Sequence, residues 1–192
     1  YGGDDRYMPD FLYRMRTCIN HFVSAVKEIG KNESFKLTVV DWGSKPPLQE
    51  TLQLFDGSSE IVEFINLTED QIKTISPNLK GIHATLPHNL AIRRSSAKYF
   101  FGMGADTILT SSSLLSLYNL CENSLATPYP MSETFLMIER KQIPWRFMNS
   151  EPNHLELDRI IKLSSFSFKS DSASMHWGGG AGVVGMSIAL WK

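Results

Sequence analysis

Cysteine is scarce in this chain: two residues in 192, Cys18 and Cys121. Two thiols cannot build a disulfide framework, and they lack metal-ligand spacing, so both read as small buried apolar residues. A basic surplus is missing as well. Nineteen Lys and Arg against 20 Asp and Glu leave a formal net charge of -1, and without excess cations no nucleic-acid partner is expected. No apolar run approaches the roughly 18–20 residues that span a bilayer, so no transmembrane segment is expected. GxSxG, HExxH, Walker A and CxxC are all absent, which leaves serine-hydrolase, zincin, P-loop and thioredoxin chemistry without a motif. The five histidines, His21, His83, His88, His154 and His176, show no ligand spacing and read as structural, although His176 sits beside a glycine cluster. There is no fixed-period repeat.

What is present is ordinary globular material, 42% hydrophobic and 20% charged, of a length that suits one domain. Both ends read as cut: the chain opens on Tyr1 and closes on Ala189-Leu190-Trp191-Lys192, in the middle of an element. Pro9 and Asp10 suit the start of a helix. Phe11, Leu12, Met15, Ile19, Phe22, Val23 and Val26 then recur at three- and four-residue steps, and Gly30 stops the pattern. Lys36 to Val40 is a β-branched strand emptying into Asp41-Trp42-Gly43-Ser44. Helical character is expected through Leu48, Leu52 and Leu54, and a second strand over Glu60–Ile65. Residues 67–88, broken by Pro77, Gly81 and Pro87, read as irregular. A helix is expected over Asn89–Lys98, a third strand over Tyr99–Met103, and a further helix from Ser111 to Asn119 capped by Ser112 or Ser113. Strands alternating with helices argue an α/β domain with a largely parallel sheet, whose ligands lie at the carboxyl ends of the strands.

Asp41 and Asp106 both sit at strand ends. Asp41 can accept hydrogen bonds from a base or ribose, with Gly43 letting a ligand approach the backbone, or it can be an Asx-turn residue satisfying its own loop. Asp106 can contribute to an oxygen-liganded cation or cap the helix that follows. Arg93-Arg94 can neutralise a diphosphate or form a solvated face. Trp177-Gly178-Gly179-Gly180-Ala181-Gly182 removes side chains from one surface and, with apolar residues following directly, reads as a ligand-facing turn rather than a tether.

Three of these patches carry a resemblance. Val39-Val40-Asp41-Trp42-Gly43-Ser44 resembles V-V-D-D-G-S, Asn89 through Asp106 is similar to N-x-G-I-x-x-A-x-G-E-Y-I-x-F-L-D-A-D without a gap, and Trp177-Gly178-Gly179-Gly180 resembles a glycine segment under a donor sugar. The pattern is that of nucleotide-sugar glycosyltransferases of the GT-A fold, family 2. The resemblance implies an α/β, Rossmann-like, mostly parallel sheet flanked by helices and cut at both ends. It implies one domain over 1–192, with 1–120 the nucleotide-binding half and 121–192 the acceptor and donor-sugar half. By the same analogy Asp41, Gly43, Ser44, Asn89, Arg93 and Arg94 contact the donor nucleotide of a UDP- or GDP-sugar. Trp177, Gly178, Gly179 and Gly180 contact the donor sugar, and Asp106 holds Mn²⁺ or Mg²⁺. The acceptor is a glycan or another hydroxyl compound.

The departures are specific. Trp42 replaces the second Asp of V-V-D-D-G-S, and D-x-D is reduced to Gly104-Ala105-Asp106. The family's general base lies beyond the glycine segment, so no catalytic residue is assigned; Glu139, Glu151, Asp158 and His176 are nominees only. The alternatives are a catalytically silent module that binds nucleotide sugars or a protein, and a nucleotidyltransferase, for which no G-G-x-G-T-R-like loop is present. Few cysteines and no signal segment suggest the cytoplasm, against two N-glycosylation sequons, Asn32-Glu33-Ser34 and Asn66-Leu67-Thr68.

Overall fold

A computed structural model describes residues 11–77, 85–123, 130–131, 133–138, 155–156, 159 and 183–191. The chain divides into two compact units, Tyr1–Ala97 and Lys98–Lys192. Among the described residues no helix is long and apolar enough to cross a membrane.

The first unit opens with helix α1, Phe11–Glu28, whose stripe of Met15, Cys18, Ile19, Phe22, Val23 and Val26 is buried as the periodicity requires. His21 lies in the same buried set. The helix stops at Gly30, with φ at 65°. There the Gly30 N–H donates to the Lys27 carbonyl at 3.1 Å and the Lys31 N–H to the Val26 carbonyl at 3.3 Å, a Schellman closure that only the left-handed glycine makes cheaply. Strand β1, Leu37–Asp41, then runs parallel to β2, Val62–Asn66, in a register that pairs Leu37 with Val62 and Asp41 with Asn66. A short helix α2, Leu48–Thr51, and a single 3-10 turn, Ser58–Glu60, lie between the two strands. Helix α3, Glu69–Ile75, follows β2, and α4, Thr85–Arg94, packs on β1. Val39, Leu48, Leu52, Ile61, Val62, Ile65, Leu67, Ala91 and Ile92 are buried and form the apolar support of this unit.

The second unit holds β3, Tyr99–Met103, helix α5, Ser111–Glu122, β4, Leu136–Ile138, and β5, Val183–Ser187, with a last helical turn over Ile188–Trp191. The sheet order is β3-β5-β4 and both pairings are antiparallel. Gly185 stands opposite Phe101, whose ring occupies the space that a Cβ at 185 would need. Cys18 is buried, and burial together with the neighbouring Glu122 carboxylate pushes the Cys121 thiol up to about 11. From the ordinary value of 9.0, that shift lowers the thiolate fraction about a hundredfold, and thiolate is the species that alkylates. Iodoacetamide at pH 8 is therefore expected to label Cys121 about a hundredfold more slowly in the native protein than in urea, read by mass spectrometry. Equal rates would contradict this environment.

Several expectations are corrected. The α/β class holds, and the parallel arrangement holds for β1 and β2. The second sheet is antiparallel, because strand patterning reports which residues are buried and not which way a neighbour runs. Residues 69–75 are helical rather than irregular. Their signal is a capping box in which the Thr68 hydroxyl accepts from the Gln71 N–H at 3.3 Å and the Gln71 side chain accepts from the Thr68 N–H at 2.9 Å. Helix α4 begins at Thr85 and ends at Arg94 rather than Lys98. Pro87 falls in its first turn, where a missing N–H costs nothing. The α2 helix ends at Thr51, β2 begins at Val62 after a 3-10 turn, and α5 runs on to Glu122. Thr110, not Ser112 or Ser113, caps α5, its hydroxyl accepting from the Ser113 N–H at 3.1 Å.

Candidate functional site at the carboxyl ends of β1 and β2

Asp41 is the last residue of β1 and is only 2% exposed. A buried carboxylate is tolerated only with its hydrogen bonds made. Here Oδ1 accepts the Ser44 N–H at 3.0 Å and Oδ2 accepts the Leu48 N–H at 2.7 Å. Each oxygen thus takes one backbone donor, and the pair holds the 41–48 loop against the end of its own strand. The Asp41 carbonyl completes the junction by accepting the Leu67 N–H at 3.0 Å.

Gly43 has φ at 79°, and a Cβ there would meet Ile72 Cδ1 at 2.8 Å. Its small size is therefore used by α3, which packs into the gap, as well as by the left-handed turn. Trp42 and Ser44 are half-buried and flank this glycine. Pro47 precedes α2, and buried Leu48 plugs the loop into the core.

Around this loop lies a polar rim that the sequence reading did not single out. The Asn66 amide donates to Gln49 Oε1 at 3.4 Å. Lys45 Nζ lies 3.0 Å from Glu69 Oε2, and Lys73 Nζ lies 3.0 Å from the other oxygen, Oε1, of the same carboxylate. Lys73 and Lys45 hold the Glu69 carboxyl down at about 2, against 4.5 for an ordinary glutamate. A depressed acid pKa favours the fold above the ordinary value, and that contribution, small for pairs this exposed, is lost as pH falls from 4.5 towards 2. Glu69 is consequently a carboxylate near neutrality. The signal that could have found it is Thr68-x-x-Gln71: once that box starts a helix, Glu69 and Lys73 become neighbours at i and i+4.

The other nominated residues fall elsewhere. Asn89 lies on α4 and donates from its amide to the Thr85 carbonyl one turn back, at 3.0 Å. Arg93 and Arg94 are exposed in the last turn of the same helix, where cations complement the dipole. Asp106 belongs to the second unit, in an exposed turn after β3 that the Thr107 N–H closes on the Gly104 carbonyl at 3.1 Å. The first unit thus brings Asp41, Gly43 and Ser44 together in one loop and puts Asn89, Arg93 and Arg94 on one helix. Trp177, Gly178, Gly179 and Gly180 lie outside the described residues, as do Glu139, Glu151, Asp158 and His176.

Among the described residues no three His, Cys, Asp or Glu side chains gather as an all-protein metal cage. A single carboxylate such as Asp106 fits the hard, oxygen-preferring cations that complete their shell with substrate phosphates and water.

Comparison with known protein families, curated proteins and solved structures finds no match to this chain.

Proposed function

We propose that the chain is a nucleotide-sugar glycosyltransferase module, moving a sugar from a UDP- or GDP-linked donor to an acceptor hydroxyl. The observation that carries this reading is the seat of Val39-Val40-Asp41-Trp42-Gly43-Ser44. Its Asp ends a parallel strand and its Gly-Ser forms the loop just beyond, the place where α/β sheets take ligands. In this reading Asp41 is a positioning residue: its oxygens shape the loop, and Trp42 and Ser44 offer a ring face and a hydroxyl to the nucleoside. Asn89, Arg93 and Arg94 belong to the donor nucleotide and diphosphate, and Trp177, Gly178, Gly179 and Gly180 to the donor sugar. Asp106 is the residue that would hold Mn²⁺ or Mg²⁺, which when bound supplies positive charge to a leaving diphosphate.

The second reading, a binding module without turnover, is favoured by Gly104-Ala105-Asp106, where a single carboxylate stands in place of D-x-D. Calorimetry with UDP and GDP, with and without Mn²⁺, tests the shared premise. Binding of one nucleotide, tightened by Mn²⁺, is the expected result; a folded chain that binds neither would refute the proposal. Hydrolysis or transfer from the bound nucleotide sugar then separates enzyme from silent module.

A further inference from the structure

The Lys45–Glu69–Lys73 cluster stands beside the 41–48 loop, whose closure onto β1 Asp41 makes through Ser44 and Leu48. Nor is it a core ion pair: the side chains are 80%, 58% and 67% exposed for Lys45, Glu69 and Lys73. Pairs this exposed contribute little to stability. Its position is the informative feature. Lys45 follows Asp41 by four residues, Glu69 follows Asn66 by three, and Asp41 and Asn66 are the paired carboxyl-terminal residues of β1 and β2. Both ammonium groups therefore converge on one anion at the ligand end of the parallel pair.

We infer that Lys45 is a further ligand of the nucleotide donor's diphosphate, besides the arginines named above, with Glu69 as an internal placeholder anion that the diphosphate displaces. The inference rests on the glycosyltransferase reading and adds to it a named phosphate ligand. The asymmetry of the cluster gives Lys73 its task. As an i,i+4 pair on one helix, Glu69 and Lys73 stay joined when Lys45 leaves, so the displaced carboxylate is not left without a cation. Lys45 sits on a different segment and can turn to a phosphate oxygen, which as a stronger, multiply charged acceptor outcompetes one carboxylate.

The test is calorimetric titration of the folded chain with inorganic pyrophosphate and with UDP and GDP, at fixed ionic strength. Lys45→Met is expected to weaken pyrophosphate and the preferred nucleotide about tenfold, the loss of one charge-assisted hydrogen bond. Lys98→Met, an exposed lysine of the second unit, serves as the charge control and is expected to bind as the parent does. Glu69→Gln removes the competitor and is expected to tighten binding. Lys73→Met leaves Lys45 as the sole partner of Glu69, so it weakens binding in the parent and has no effect in the Glu69→Gln background. A merely structural cluster would not produce that dependence on background. Unchanged affinity in Lys45→Met, with the nucleotide still bound, overturns the inference and leaves the glycosyltransferase reading standing. A folded parent that binds neither pyrophosphate nor either nucleotide overturns both.

Discussion

Asp41→Ala is expected to destabilise the protein by about 3 kcal/mol, since it removes two charge-assisted hydrogen bonds and leaves one buried and one part-buried backbone donor unmet. The donors are specific. Leu48 is itself buried, and its N–H points at Oδ2 from 2.7 Å, so water has no ready route to replace the lost acceptor. The Ser44 N–H, 3.0 Å from Oδ1, is part-buried and recovers some solvation. Asp41→Asn keeps one acceptor oxygen but turns an amide N–H₂ towards a backbone N–H, so it recovers only part of the loss. Urea unfolding reads both variants. With a slope of about 1.5 kcal/mol per molar, the alanine variant's midpoint falls by about 2 M. A loss below about 1 kcal/mol would mean that the carboxylate does not hold the loop.

The second large effect is in the other unit. Gly185→Ala puts a methyl group into the ring of Phe101, its register partner across β3 and β5. Gly185 is buried, so the strand cannot simply lift away, and the ring must leave its rotamer. Overpacking of this kind costs about 2 kcal/mol. The cause is separable by a double-mutant cycle. In a Phe101→Ala background the same glycine substitution should cost almost nothing, giving a coupling of about 1–2 kcal/mol between the two sites. Additive losses would place the strain in the backbone at 185 rather than in the ring.

These two residues also mark what a sequence can and cannot disclose. The α1 stripe ending in Gly30, and the strand Tyr99–Met103, are legible because one local pattern decides each of them. Helix α3 was not, for a physical reason: none of its residues is buried, so it has no apolar stripe to read and depends on its Thr68–Gln71 cap. Strand direction is not written in alternation, which is why the antiparallel β3-β5-β4 sheet differed from expectation. The strand-end seat of Asp41 was legible from the apolar run before it and Gly43-Ser44 after it. What its two oxygens do was not, since Leu48 lies seven residues on and becomes a partner only after the loop has folded back. The Lys45–Glu69 pairing was hidden for the same reason, its members being 24 residues apart.

The proposed nucleotide-diphosphate site lies at the carboxyl ends of β1 and β2. Titration of the ¹⁵N-labelled chain with UDP and with GDP, followed through backbone amide shifts, tests it most directly. One nucleotide is expected to move the amides of residues 41–49 and 66–73 together, with a single affinity. Saturable shifts that leave both segments still would contradict it.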